Sequence, residues 1–106
     1  MFGFSRNSSI NSIDVNEIDM VSGNINLIDV REPYEYKSGH LQMAKSVPMS
    51  NILTDPEKYL EKSEVYHIIC HSGSRSLRTC MILEGKGYNL INVSGGIGRY
   101  RGLLKK

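Results

Sequence analysis

The stretch Val65-Tyr66-His67-Ile68-Ile69-Cys70-His71-Ser72-Gly73-Ser74-Arg75-Ser76 constrains this chain more than any other. Val65 to Ile69 is a short β-branched, apolar run of the length a buried strand takes, and it ends on a cysteine. From Ser76 the period changes. Leu77, Cys80 and Met81 recur at helical spacing up to Glu84, which predicts one helix ending near Gly85-Lys86-Gly87. A Gly/Ser loop therefore joins a strand end to a helix start. In such a loop successive backbone N–H groups converge on an anion, and the unpaired N–H groups of the first helical turn point the same way. A thiol placed there has a depressed pKa and serves as a nucleophile, and a persulfide anion is stabilised by the same donors. Gly73 supplies backbone freedom that most residues lack.

Cys70 to Ser76 resembles the active-site loop of the rhodanese family of sulfurtransferases, a cysteine followed by a short cradle that ends in arginine and serine. The stretch Leu27-Ile28-Asp29-Val30-Arg31-Glu32-Pro33-Tyr34-Glu35-Tyr36-Lys37-Ser38-Gly39-His40-Leu41 is similar to the family's other signature. Gly87-Tyr88, Asn92-Val93 and Ser94-Gly95-Gly96 resemble its closing strand and double-glycine turn. The three motifs stand in the family's order between Ile13 and Tyr100, and three in order are far more specific than one. Two positions depart from the pattern. Gln42-Met43 stands where Pro-Gly is common, which puts the shape of that turn in doubt, and Tyr100 stands where tryptophan is common.

The resemblance implies a rhodanese-like α/β fold and a thiosulfate sulfurtransferase-like activity. Sulfane sulfur would pass from a donor such as thiosulfate, through a persulfide on Cys70, to cyanide, a thiol or a sulfur-relay protein. His71, Ser72, Gly73, Ser74, Arg75 and Ser76 form the cradle, and Asp29, Arg31 and Glu35 support the loop. Asp29 and Glu35 are the candidates to hold Arg75. That arginine either touches an anionic donor or folds back and braces the loop, and bracing is the preferred reading. Asp29, Arg31 and Glu35 read equally simply as ion pairs that hold the loop. His71 either tunes donor choice with its charge or is an exposed loop side chain. A low-pKa nucleophile in a preorganised cradle requires no metal and no organic cofactor.

The rest of the chain reads as scaffold. Residues 1–11, rich in Ser and Asn, suit a loose N-terminal arm, and 12–106 form one domain, as the length of 106 residues allows. Ile13 and Val15 suit a short edge strand, and Asp14 with Glu17 caps a helix from Val15 to Val21 that Gly23 stops. Asn24 to Val30 is a central strand, followed by a helix from Tyr34 to Lys37 and a brief strand at Ser46-Val47-Pro48. Asp55-Pro56 opens a helix filled by Glu57 to Lys62. Leu90 to Val93 is the last strand, and Ile97 to Leu103 a final helix with Lys105-Lys106 as a solvated tail. Strands alternating with helices give a small, mainly parallel sheet of about five strands with helices on both faces. Asp29, Arg31 and Cys70 then share the carboxyl edge where open α/β sheets carry their sites.

Other chemistries fit less well. A net charge of +2 with scattered basic residues gives no nucleic-acid signature, and no apolar run approaches a membrane span. Neither a basic start nor a long apolar core marks an export signal, so the two cysteines read as thiols in the cytoplasm, a Cys70–Cys80 disulfide being open but not demanded. Cys80 lies on the apolar side of its helix as a small core residue rather than a resolving thiol. His40 and His67 read as structural. Cys70, His71 and Cys80 lack metal-ligand spacing, and Gly96-x-Gly98 lacks the context of a nucleotide loop. Cysteine phosphatases share several of these residues, but their loop between cysteine and arginine is longer than His71-Ser72-Gly73-Ser74. The rival from another class is a rhodanese-like interaction or sulfur-carrier module with little turnover of its own.

Overall fold

The structure, a computed structural model, describes residues 10–21 and 25–106. Five parallel strands form one sheet in the order β1-β5-β4-β2-β3. They are β1 (Asn11–Asp14), β2 (Asn26–Asp29), β3 (Lys45–Ser46), β4 (Val65–Ile69) and β5 (Asn89–Ser94). The helices are α1 (Pro33–Ser38), α2 (Met49–Thr54), α3 (Ser74–Glu84) and α4 (Gly96–Arg99), with 3-10 turns at Val15–Met20 and Pro56–Lys58. Parallel pairing requires a crossover between partners, and alternating side chains send residues of β4 to opposite faces. Ile68 and Cys70 thus join the core under α2 and α3, with Ile52, Cys80 and Leu83. Ile69 joins the core on the other face, with Val15, Ile18, Leu27, Val93 and Ile97.

The sheet has one topological switch point. β2 and β4 are neighbours, with Asp29 level with Ile69, yet α1 leads from β2 outward to β3 while α3 leads from β4 the opposite way to β5. The two connections diverge at the carboxyl ends of β2 and β4, the edge where α/β sheets place their chemistry. Cys70 stands at the end of one strand, Asp29 and Arg31 at the end of the other.

Several boundaries differ from the sequence reading. The expected helix at 15–21 is a 3-10 turn, because Val15 and Ile18, its buried residues, lie three apart and so eclipse each other at three residues per turn. Asp14 does cap it, taking the Asn16 N–H at 2.8 Å. The stop expected at Gly23 lies outside the described residues, as do residues 1–9 of the arm expected over 1–11; its last two residues belong to the fold, since Ile10 is buried and Asn11 opens β1. The helix expected from Asp55-Pro56 is a three-residue turn at Pro56–Lys58. The helix lies just before it, at Met49–Thr54, and the Asp-Pro pair is its stop, since proline supplies no N–H to continue it. The final helix ends at Arg99, where Tyr100 turns extended and Arg101 gives its N–H to Asn16 Oδ1 at 2.8 Å. Beyond it the backbone is no free tail: Lys105 and His40 exchange N–H···O bonds of 2.8 and 2.9 Å, and Leu104 packs on the core. The turn at Gln42-Met43 closes with Ala44 N–H on Leu41 O at 2.9 Å.

His40 is structural, its ring stacked 3.7 Å from Tyr36 and its Nδ1 2.8 Å from Tyr36 O. His67 is buried on β4 with Nδ1 unpartnered, and burial pushes its imidazole below the ordinary value of 6.5. Below that value the unfolded chain binds a proton that the folded chain refuses, so this residue costs stability as pH falls. His67→Leu is expected to flatten the fall in melting temperature below pH 6.5, measured by calorimetry across a pH series.

Candidate active site

Helix α3 begins at Ser74, two residues before the period change in the sequence, with Gly73 as its N-cap at φ 107°. The first turn of the helix is thereby folded back over the end of β4. Its unpaired N–H groups need acceptors, and the Cys70 sulfur is placed to be one. Gly73 N–H lies 3.1 Å from Cys70 Sγ, Ser76 N–H 3.3 Å and Ser76 Oγ 3.4 Å. Ser76 Oγ accepts from the Cys70 thiol and donates to Gly73 O at 3.1 Å, which ties the ring to itself. Cys70 and Ser76 are fully buried, whereas His71, Ser72 and Ser74 are exposed around them. Ser72 and Ser74 stand with their hydroxyls 3.4 Å apart on the rim. Two backbone donors are thus aimed at one sulfur, with a hydroxyl beside it.

The loop rests on the turn after β5. Ile97 N–H donates to Cys70 O at 2.9 Å and Gly98 N–H to His71 O at 2.8 Å. This close approach requires Gly96, whose φ is +63° and where any Cβ would overlap the Cys70 and His71 carbonyls. The sequence reading treated Ser94-Gly95-Gly96 as a turn and missed that it is the base of the site. The adjacent glycines are the signal for it, since glycine is the residue for positive φ and close backbone contact. The His71 ring lies along the same turn, over Gly98.

Arg75 pairs with Glu35 of α1 in a two-pronged bridge, both N···O distances being 2.9 Å. Glu35 also accepts the Glu32 N–H at 2.9 Å, so one carboxylate caps α1 and holds the loop. The Arg75 hydrogen bonds hold its pKa at about 2, against an ordinary 4.5. Asp29, the other candidate partner for Arg75, instead takes Arg31, with N···O distances of 2.8 to 3.1 Å, and both are buried. Arg31 also donates to Gly39 O at 2.8 Å, so this pair fixes the connection after α1. The loop-supporting set therefore divides into Glu35 on Arg75, and Asp29 on Arg31.

With side chains 37% and 20% exposed, the Arg75–Glu35 bridge is screened by water and contributes roughly 1 kcal/mol or less. Arg75→Ala is expected to lower the melting temperature by no more than about 4–8 °C. The contribution is present above the ordinary carboxylate value of 4.5 and lost as pH falls towards about 2, so the variant should lack that acid slope in a pH-dependent melting series.

Cys70 and Cys80 are both free thiols. Burial pushes the Cys80 thiol up to about 12, which keeps it protonated and inert in the core beside Leu83. Among the described residues, no three His, Cys, Asp or Glu side chains come together as metal ligands, and no helix is long and apolar enough to cross a membrane.

Known proteins are similar to this chain in sequence and in fold. A family model described as the rhodanese-like domain matches residues 15–102. YtwF of Bacillus subtilis (strain 168), named as a candidate sulfurtransferase, is 40% identical over 81 residues, covering 74% of this chain and 76% of that protein. YrkF of the same organism, named as a candidate sulfur carrier protein, is 33% identical over 79 residues; these cover 74% of this chain but only 42% of YrkF. The crystal structure of SSP1007 from Staphylococcus saprophyticus superimposes with a TM-score of 0.80 at 34% identity, over 92% of this chain and all of that one. A buried cysteine ringed by helix-start donors, on this five-strand parallel sheet and with these relatives, makes the chain a member of the rhodanese-like domain family.

Proposed function

We propose that this protein is a sulfurtransferase that carries sulfane sulfur as a persulfide on Cys70. The observation that carries the reading is the pair of backbone N–H donors, from Gly73 and Ser76, aimed at Cys70 Sγ at 3.1 and 3.3 Å. The Cys70 thiolate attacks the outer sulfur of a donor such as thiosulfate. The donor's S–S bond breaks, sulfite leaves with the bonding pair, and the new Sγ–S bond leaves a persulfide anion in the ring of donors. A nucleophilic acceptor, which is cyanide, a thiol or a sulfur-relay protein, then attacks the terminal sulfur, and the electron pair returns to Cys70. The thiolate carries its charge on Sγ and the persulfide on the outer sulfur one bond beyond it, and the same preorganised loop holds both anionic states. The likeness to YrkF, named for sulfur carriage, supports a protein as acceptor. Two free thiols suit a reducing compartment, the cytoplasm, and one domain over 12–106 carries the whole reaction.

The test is the intact mass of the reduced protein after thiosulfate treatment and removal of excess donor. A gain of one sulfur that cyanide removes is the expected result. If neither thiosulfate nor a persulfidated protein loads the chain, sulfur transfer is refuted in favour of a binding module.

A further inference from the structure

The backbone of the Cys70 loop is pinned from beneath by the Ile97 and Gly98 N–H groups at 2.9 and 2.8 Å, so motion at its rim falls to side chains. Arg75 stands on that rim next to Ser76, whose N–H and hydroxyl touch Cys70 Sγ, and its guanidinium reaches across to Glu35 of α1. Cys70 has no exposed surface, whereas 37% of the Arg75 side chain meets water. A guanidinium offers two parallel N–H groups to a pair of oxygens, and the Glu35 carboxylate fills that fork in the closed arrangement. The oxygens of a sulfonate-like group fit the same fork. Carboxylate and oxyanion cannot both occupy it.

We infer that Glu35 is a specificity residue that competes with the oxyanion of the sulfur donor for Arg75. In the closed state Glu35 holds the guanidinium and neutralises it. An anionic donor enters by exchange, taking the fork from Glu35 and arriving beside Cys70 with its charge matched. Bracing and donor binding are then successive states of one side chain rather than alternatives, and an uncharged donor gains nothing from the exchange. The role in donor choice rests on the sulfur-transfer reading; the exchange of anions does not. Because the bridge is partly exposed, its competition is modest in size, and a divalent oxyanion can displace it.

Glu35→Gln separates this role from a structural one, since glutamine keeps an oxygen for the Glu32 N–H and serves in a capping box while losing the charge. Sulfate, an unreactive dianion with the same kind of oxygens, is titrated into the isotope-labelled full chain while the Arg75 Nε resonance is followed. The sulfate Kd is expected to be about three- to fivefold lower in Glu35→Gln than in the parent. The thiosulfate KM should fall in parallel, with kcat within about twofold of the parent value. In an Arg75→Ala background the same substitution should move neither constant. Unchanged or weaker sulfate binding in Glu35→Gln, or an equal gain without Arg75, overturns the inference. A chain that binds sulfate as expected but takes no sulfur from thiosulfate refutes the sulfurtransferase reading and leaves the exchange standing.

Discussion

Cys70→Ser is expected to abolish sulfur loading completely while leaving the fold in place. The serine oxygen is smaller than sulfur but accepts the same Gly73 and Ser76 N–H donors, so the ring keeps its acceptor and the first turn of α3 its partner. It cannot replace the chemistry, because a hydroxyl at its ordinary pKa is no nucleophile without a base, and among its hydrogen-bond partners here are two N–H groups and the Ser76 hydroxyl. Cys80→Ala is the matching control. With its thiol pushed up to about 12, Cys80 has no thiolate to offer at neutral pH, and this variant should load sulfur like the parent chain. Intact mass after thiosulfate treatment reads both. Loading that survives Cys70→Ser and disappears in Cys80→Ala would transfer the nucleophile to the wrong face of α3 and refute the site as described.

Gly96→Ala is expected to be the most damaging alanine substitution among the described glycines. The new Cβ would overlap the carbonyl oxygens of Cys70 and His71, and φ of +63° is strained for alanine in any surroundings. Relief requires α4 to retreat, which breaks the Ile97-to-Cys70 and Gly98-to-His71 hydrogen bonds together. Strained backbone plus two lost bonds amounts to about 3 kcal/mol or more. At about 4–8 °C per kcal/mol for a domain approaching this size, the melting temperature should fall by more than about 12 °C. Sulfur loading should fall with it. Gly98→Ala provides the contrast, because its Cβ meets the movable His71 ring at 3.2 to 3.3 Å as well as a carbonyl at 3.2 Å, and a smaller loss is expected. Thermal melts and loading rates of the two variants check the ranking; equal stability for Gly96→Ala and the parent would show that the turn is not the base of the loop.

Residues close together in sequence made the centre of this site legible. Strand β4, Cys70 and α3 follow one another, so a change of hydrophobic period located the strand end, the loop and the helix start around Cys70. What was not legible depends on long-range placement. Whether Asp29 or Glu35 holds Arg75 turns on where α1 sits, and the two ends of the observed bridge are 40 residues apart. The Asp55-Pro56 pair misled because an N-cap with proline after it and a C-cap with proline after it are the same two letters. Helix α2 before it is six residues long, and its apolar face, Ile52 with Met49 and Leu53 packed beside it, is too short a pattern to declare a period. Lys105 looked like a charged end, and its side chain is exposed; only its backbone pairing with His40 reveals that the segment is anchored.

The support that residues 96–98 give the Cys70 loop also orders events in time. A ribosome delivers Cys70 well before Gly96, so during synthesis the thiol exists for a while without the turn that holds up its loop. β5 must pair with both β4 and β1 before that turn can dock, and such long-range contacts form late. The cysteine is therefore made early and its loop supported last, and a nascent chain that stops short of this turn carries Cys70 without the two hydrogen bonds that pin its loop.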